Sequence, residues 1–298
     1  MHVHLVANPA AGRARVPAFL ERLESALARK GARVTVHTTR GPGDARAHVA
    51  ALDAASIDRL VVVGGDGTLH EVVASRDVLP WPVALVPFGT ANLVGRDCGV
   101  PLRGDVELRA DAVLSAHERR VDLLETDRSR ALAVVGVGLD AEVVEAVARV
   151  RGLSSGGYAR WVMPLARTLS AYEPPRLLVS VDGGDEVEAG AVILQNTLCY
   201  GGLFTLSPDA SMDDGMMDVV AIRRGRRRDY LRTLLRAYSG NVKSDRGVRI
   251  LRGREATVRS AAAEALVQVD GDPAGTTPLH VRVLPGALRL VTPTAFRT

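Results

Sequence analysis

Lysine is almost absent from this sequence: Lys30 and Lys243 are the two in 298 residues, and arginine carries nearly all of the positive charge. Neither lysine stands in a glycine-rich turn, which excludes the Walker-type phosphate loop, whose lysine reaches the β- and γ-phosphates. Cysteine is scarce too. Cys98 and Cys199 cannot make a disulfide framework and lack the close spacing of a zinc site, so both read as small buried apolar residues. No apolar run approaches the roughly 18–20 residues of a membrane-crossing helix. The opening Met1-His2-Val3-His4-Leu5-Val6 reads as a strand, without the basic-then-apolar pattern of a signal peptide. The expected location is cytoplasmic, with any membrane contact peripheral at the inner face. A net charge of +4, spread along the chain, is too weak to indicate nucleic acid, though it suits anionic ligands or an anionic surface.

What is present is apolar material for two cores, at 47% hydrophobic. The first ~125 residues alternate strand and helix patterns. Residues 3–7 form a short apolar strand. Pro17 opens a helix with Phe19, Leu20, Leu23 and Leu27 on one face, and Gly31 ends it. Residues 32–38 read as a second strand, a helix follows Asp44, and 60–63 is an unbroken apolar run. A strand apolar on both faces implies a parallel sheet between helices. Further helices are expected at 71–75 and 106–117, with a strand at 83–86. From about Arg119 the pattern turns to short strands at 181, 219–222, 256–258, 266–269, 281–284 and 288–291, separated by Asp-Gly and Pro-Gly turn signals. Residues 152–172, with Tyr158 and Trp161, read as irregular, and 229–238 as a short helix. The expectation is an α/β doubly wound N-terminal domain over 1–125, rejoined by the tail at about 288–298. An antiparallel, β-rich sandwich follows over 126–287, with a nucleotide cleft between the two.

The sharpest feature is Gly64-Gly65-Asp66-Gly67-Thr68, set between an apolar strand and a helix. Ligands of open α/β sheets bind at the carboxyl ends of strands. Glycines let backbone approach phosphates, and the amides opening the next helix point at the anion. Asp66 is odd in a plain anion site unless a divalent cation or a reacting hydroxyl stands between it and the phosphate. A tight strand-to-helix turn capped by Asp66 is the plain alternative. Asn8-Pro9-Ala10-Ala11-Gly12 and Pro87-Phe88-Gly89-Thr90-Ala91-Asn92 follow two other strands in the same way, so three turns are available to one site.

These three motifs resemble the signature set of the diacylglycerol kinase catalytic domain, shared with sphingosine kinases and the bacterial YegS-like lipid kinases. Residues 202–218, with Pro208, Ala210 and Asp214-Gly215-Met216-Met217-Asp218, are similar to the family's second-domain motif, and Val269-Asp270-Gly271-Asp272 to its Asp-Gly-Glu. The resemblance implies an ATP- and Mg2+-dependent transferase acting on an alcohol group. The acceptor it implies is a lipid alcohol, diacylglycerol first. It matches Asn8, Pro9, Ala10, Ala11, Gly12, Thr39, Gly64, Gly65, Gly67, Thr68, Leu69, His70, Glu71, Gly89, Thr90 and Asn92 to nucleotide-contacting positions. Asp66 and Asp122 match aspartates tied to the catalytic magnesium, and Asp214 with the carbonyls of Ser211 and Met216 matches a second, structural metal. Asp272 stands where the family has a glutamate taken as the general base. Leu93, after Asn92, stands where bacterial members often have aspartate. Asp272 is one methylene shorter than glutamate, about 1.5 Å of reach.

With no phosphate-loop lysine, charge neutralisation falls to magnesium, backbone amides and arginines, with Arg13, Arg15, Arg40 and Arg96 as candidates. Either Asp272 or Asp66 is open as the base. Alternative activities are a sphingoid-base or other lipid-alcohol kinase, an NAD kinase-like enzyme, and a non-catalytic nucleotide or lipid sensor. Phosphofructokinases are set aside for want of their Thr-Ile-Asp-Asn-Asp-like segment. Arg223, Arg224, Arg226, Arg227 and Arg228 run into an amphipathic segment with Leu231, Leu234 and Leu235. That reads either as docking on anionic lipid or as a solvated turn leading into a packed helix. No nucleic-acid partner is expected, and the oligomeric state is left open, a homodimer among the states allowed.

Overall fold

A computed structural model describes residues 1–12, 16–149 and 159–293. The chain divides into two compact units, Met1–Val121 with Gly286–Thr298, and Asp122–Pro285. In the first, strands β1 (His2–Ala7), β2 (Arg33–Thr38), β3 (Arg59–Gly64) and β4 (Val83–Pro87) run parallel in the order β2-β1-β3-β4. The end of the chain's last strand adds beside β4, Leu290 opposite Val83. Period-two alternation sends Val3, Leu5, Ala7, Val61 and Val63 to one face. There they pack with Leu20, Leu23 and Leu27 of α1 (Val16–Arg29) and Ala110 and Val113 of α5 (Val106–Leu114). On the other face His4 meets His48 of α2 (Asp44–Ala51), and α3 (Asp66–Val73) lies against β3. A five-residue α4 (Leu93–Asp97) follows β4. The unbroken apolar run of β3 is thus buried on both sides, as its composition requires.

In the second unit the strands of both sheets pair antiparallel. The unit is entered along β5 (His117–Thr126), followed by β6 (Arg130–Ala131) and β7 (Val134–Val137). Then come β8 (Leu177–Val181), β9 (Val187–Ala189), β10 (Ala191–Gln195) and β11 (Met217–Ile222). The remaining strands are β12 (Val248–Gly253), β13 (Glu255–Ser260), β14 (Leu266–Val269), β15 (Asp272–Thr276) and β16 (Leu279–Thr292). One sheet has the order β12-β11-β10-β7-β14-β15; β16-β13-β8-β9 form the other, with β5 joining β16 and β6. Val135, Val137, Val192, Leu194, Val219 and Val267 from the first interleave with Leu177, Val179, Val258 and Val281 from the second. The outer face of the first sheet carries α6 (Leu139–Arg149), on which α7 (Ala159–Ala171) packs, with α8 (Arg227–Tyr238) against α7.

Four local expectations are corrected. The helix placed at 71–75 begins at Asp66, so the Asp66-Gly67-Thr68 part of the turn is its first turn. The helix placed at 106–117 ends at Leu114, because Ser115 is extended and His117 already pairs in β5. The described part of 152–172 is largely helical despite Pro164, and α6 precedes it. Pro285-Gly286 makes no turn; β16 runs through it, with Gly286 at φ 59° absorbing the bend.

Candidate active site

In the first unit the ends of β1, β3 and β4 are stitched together. Asn8 N donates to Val63 O at 2.9 Å, and Phe88 N to Gly64 O at 2.7 Å. At that contact the backbones come closer than any side chain allows. A Cβ on Gly65 would lie 2.8 Å from Gly89 Cα, and one on Gly89 would lie 2.6 Å from Gly65 Cα and 2.7 Å from Asn92 Oδ1. Gly12, at φ +64°, lies against the Phe88 ring, and a Cβ on it would come within 2.8 Å of Phe88 Cδ1. Asn92 closes its own turn: Gly89 N donates to its Oδ1 and its Nδ2 donates to Gly89 O, both at 2.9 Å. That ring holds Asn92 at φ 49°, a left-handed conformation asparagine tolerates. Asn8 does the same service for the first turn, accepting from Ala10 N at 3.0 Å, and its Nδ2 reaches Thr68 Oγ1 at 3.1 Å. Three turns therefore form one glycine-lined floor, with the first-turn amides of α3 beside it and Gly64, Gly65, Asp66, Pro87 and Asn92 lining a shallow depression.

The other expected residues sort by exposure and partner. Thr39 is buried, with its N–H on Ala7 O at 2.8 Å; Thr90 and Gly67 are exposed. Glu71 Oε1 accepts from Gly43 N at 3.0 Å, tying the loop after β2 to α3. Leu69 is 2% exposed and its N–H is held by Gly65 O, so its side chain packs under the helix. Leu93 is likewise buried. Arg40 and Arg96 are exposed, and Arg96 Nε braces Ala91 O at 2.7 Å; Arg13, Arg15 and Tyr158 lie outside the described residues. Arg109 is a residue that sequence reasoning missed. Buried in α5, its guanidinium donates to Pro87 O at 3.3 Å and Leu102 O at 3.0 Å and lies 4.9 Å from the Phe88 ring centre. It fixes the Pro87-Phe88 turn from below. Nothing in the α5 sequence distinguishes it from a solvent-facing arginine.

The second unit gathers the remaining acids. Asp122 is buried in β5; its N–H donates to Met212 O at 2.6 Å and its Oδ2 accepts from Gly215 N at 2.7 Å. It is thereby joined to the 211–216 turn, where Asp214 Oδ1 accepts from Met216 N at 2.9 Å and Oδ2 pairs with Arg252. Hard oxygen donors suit magnesium. Here, however, the guanidinium already neutralises the Asp214 carboxylate, so the set from Ser211, Asp214 and Met216 fits a cation only with Arg252 turned away. Asn196, wholly buried, donates to Asp122 O at 2.9 Å and Leu132 O at 2.8 Å, while its Oδ1 has no partner among the described residues. The next strand is held by Asp270, whose carboxylate accepts from the amides of Leu132, Ala133 and Val134 at 2.7–3.0 Å. Asp270 and Gly271, at φ 47° and 86°, form the two-residue hairpin that delivers Asp272 to the start of β15. Asp122 and the Asp272 hairpin thus belong to one hydrogen-bonded network. An acid was missed as well: Asp140, at the start of α6, is partly buried with Tyr200 on one oxygen and Gln268 Nε2 at 2.6 Å on the other. Burial pushes its carboxyl above the usual range, against those two hydrogen bonds.

Residues 2–126 match the family described as Diacylglycerol kinase catalytic domain, and residues 133–292 the YegS C-terminal NAD kinase beta sandwich-like domain. A "Diacylglycerol kinase" of Bacillus subtilis is 25% identical over 92% of this chain and 90% of its own length. A "Probable lipid kinase YegS-like" of Pseudomonas aeruginosa is 32% identical over 88% of this chain and 86% of its own. Among solved structures, that of a diacylglycerol kinase from Bacillus anthracis superposes with a TM-score of 0.74 at 20% identity, covering 98% of this chain and 96% of that one.

Proposed function

The chain belongs to the bacterial diacylglycerol kinase and YegS-like lipid kinase family, and from that premise we propose that it moves the γ-phosphoryl group of ATP to the hydroxyl of diacylglycerol. The observation that carries the ATP half of this reading is the contact of Gly65 with Gly89, where no side chain fits. Such a floor offers backbone amides and the opening turn of α3 to a polyphosphate in place of a lysine. Magnesium, when bound, supplies charge neutralisation at the phosphates. Asp66 and Asp122 are the residues that would hold it, and Asp214 with the Ser211 and Met216 carbonyls would hold a second ion once Arg252 leaves the Asp214 carboxylate.

The chain's own residues account for the rest. Asp272 accepts the proton as the acceptor oxygen bonds to the γ-phosphorus, the bond to the β–γ bridging oxygen breaks, and ADP leaves. The Asp270-Gly271 hairpin sets the position of Asp272, and its short side chain favours an acceptor hydroxyl that comes close to the β15 end. Arg109 and Asn92 hold the nucleotide turn rigid. Incubating the purified protein with labelled ATP, magnesium and separate diacylglycerol, sphingoid base, undecaprenol, phosphatidylglycerol and NAD tests the acceptor. Label in phosphatidic acid supports the reading. Label in a sphingoid phosphate or NADP replaces the acceptor, and tight ATP binding with no transfer to any of them supports a sensor instead.

A further inference from the structure

Helix α8 is built with two faces. Tyr230, Thr233 and Ala237 are buried, while Leu231, Leu235 and Tyr238, at helical spacing on the opposite face, are 48%, 63% and 68% exposed. The stripe continues past the helix end: the Tyr238 ring meets Phe204 edge-on at 6.3 Å, and the adjoining Leu203 is 46% exposed. Three large apolar side chains on one exposed helical stripe are more than the scattered surface leucines of an ordinary protein. At the other end of the stripe, one turn before Leu231, stand Arg227 and Arg228.

The arginines of this segment fall into two groups. Arg232 and Arg236 are tied to the fold through Asp229 and the buried Asp245 at 3.2–3.4 Å. Arg227 and Arg228 are exposed and have no acid partner among the described residues. They also sit in the first turn of the helix, the end whose dipole disfavours cations. Over 223–238 seven arginines face one aspartate. Unpaired cations flanking an exposed apolar stripe are complementary to a surface that is anionic at its edge and apolar beneath.

We infer that the exposed face of α8, with Leu203 beside it, docks the enzyme on an anionic phospholipid bilayer. Leu231, Leu235 and Tyr238 enter the boundary of the acyl region, and Arg227 and Arg228 lie among the headgroups. The lipid-kinase reading decides the choice of partner, since a diacylglycerol acceptor resides in such a bilayer. A second copy of the chain is the competing occupant of the same face.

Sedimentation with phosphatidylcholine vesicles, with and without phosphatidylglycerol, tests this. The intact protein is expected to sediment with the anionic vesicles and to be released by salt. Leu231→Ser with Leu235→Ser, and separately Arg227→Glu with Arg228→Glu, are each expected to weaken that binding about tenfold or more. Both pairs are exposed, so thermal melting should match the parent, and turnover of a short-chain diacylglycerol dissolved as monomers should not change. Binding that ignores anionic lipid, or survives both double variants, overturns the inference, as does an apolar pair that splits a dimer while the parent ignores vesicles. Vesicle binding without kinase activity would refute the proposed reaction and leave the docking surface standing.

Discussion

Glycine at position 89 has no Cβ, and that is what lets β3 and β4 end against each other. Gly89→Ala would place a carbon 2.6 Å from Gly65 Cα, so one turn must move. Loss of ATP affinity of at least about tenfold is expected, with the circular-dichroism spectrum retained; an unchanged ATP KM would refute the floor. Asp272→Asn keeps shape and removes basicity, and should lower kcat by about 10²–10⁴-fold at unchanged ATP affinity. Near-normal turnover of that variant would move the base to Asp66. The turn at Gly89 was legible because each glycine motif had the same place after a strand, whereas Asp272 stood out only through the resemblance of Val269-Asp270-Gly271-Asp272 to a family motif. It hid Arg109 and Asp140, whose roles come from partners that no local pattern joins to them.

Elements show how few polar groups set the geometry. The β14–β15 hairpin is anchored by one carboxylate, and Asp270→Ala would strip acceptors from three backbone amides. Unsatisfied buried donors cost about 1–3 kcal/mol each, so a loss of several kcal/mol is expected in urea unfolding, with kinase activity falling in step. A loss under about 1 kcal/mol would show that water replaces the carboxylate. On the opposite unit, β1, β2 and α2 share a histidine cluster. His4 Nδ1 meets Thr35 Oγ1 at 2.7 Å and its Nε2 meets His48 Nε2 at 2.8 Å; His37 stacks on His48 at 3.7 Å and bonds Asp44 at 2.9 Å. Burial first, then His48, His2 and His37, lower the His4 imidazole to about 4. The unfolded chain therefore binds the extra proton between about pH 6.5 and 4, and stability present above 6.5 is lost as pH falls through that window. The full effect is on the order of 3 kcal/mol. Urea midpoints at pH 7.5 and 5 should diverge in the parent and converge in His4→Leu; equal pH slopes in both would contradict the assignment. Strand and helix patterns were readable where period and length agreed. Helix α6 was not, because its apolar residues continue directly from the apolar β7, and α7 was masked by Pro164.

At the scale of the whole molecule, the change from βα alternation to short turn-linked strands foretold an α/β unit followed by an antiparallel one. That division follows from burial: strands apolar on both faces need helices on both sides, whereas alternating strands can face a second sheet. The course of β16 was less visible, since Pro285-Gly286 is a turn signal in sequence and a bend in a continuous strand in the fold. The acceptor is invisible for a different reason, because an acyl pocket needs only apolar side chains, which the core also needs. No helix among the described residues is long and apolar enough to cross a membrane. The central claim is that Asp66, at the mouth of the glycine floor, serves phosphoryl transfer rather than helix capping. Transfer of labelled phosphate to diacylglycerol by Asp66→Asn, at saturating ATP and magnesium and with melting equal to the parent, tests it most directly. A fall of about 100-fold or more is predicted; full activity in the folded variant would contradict the account.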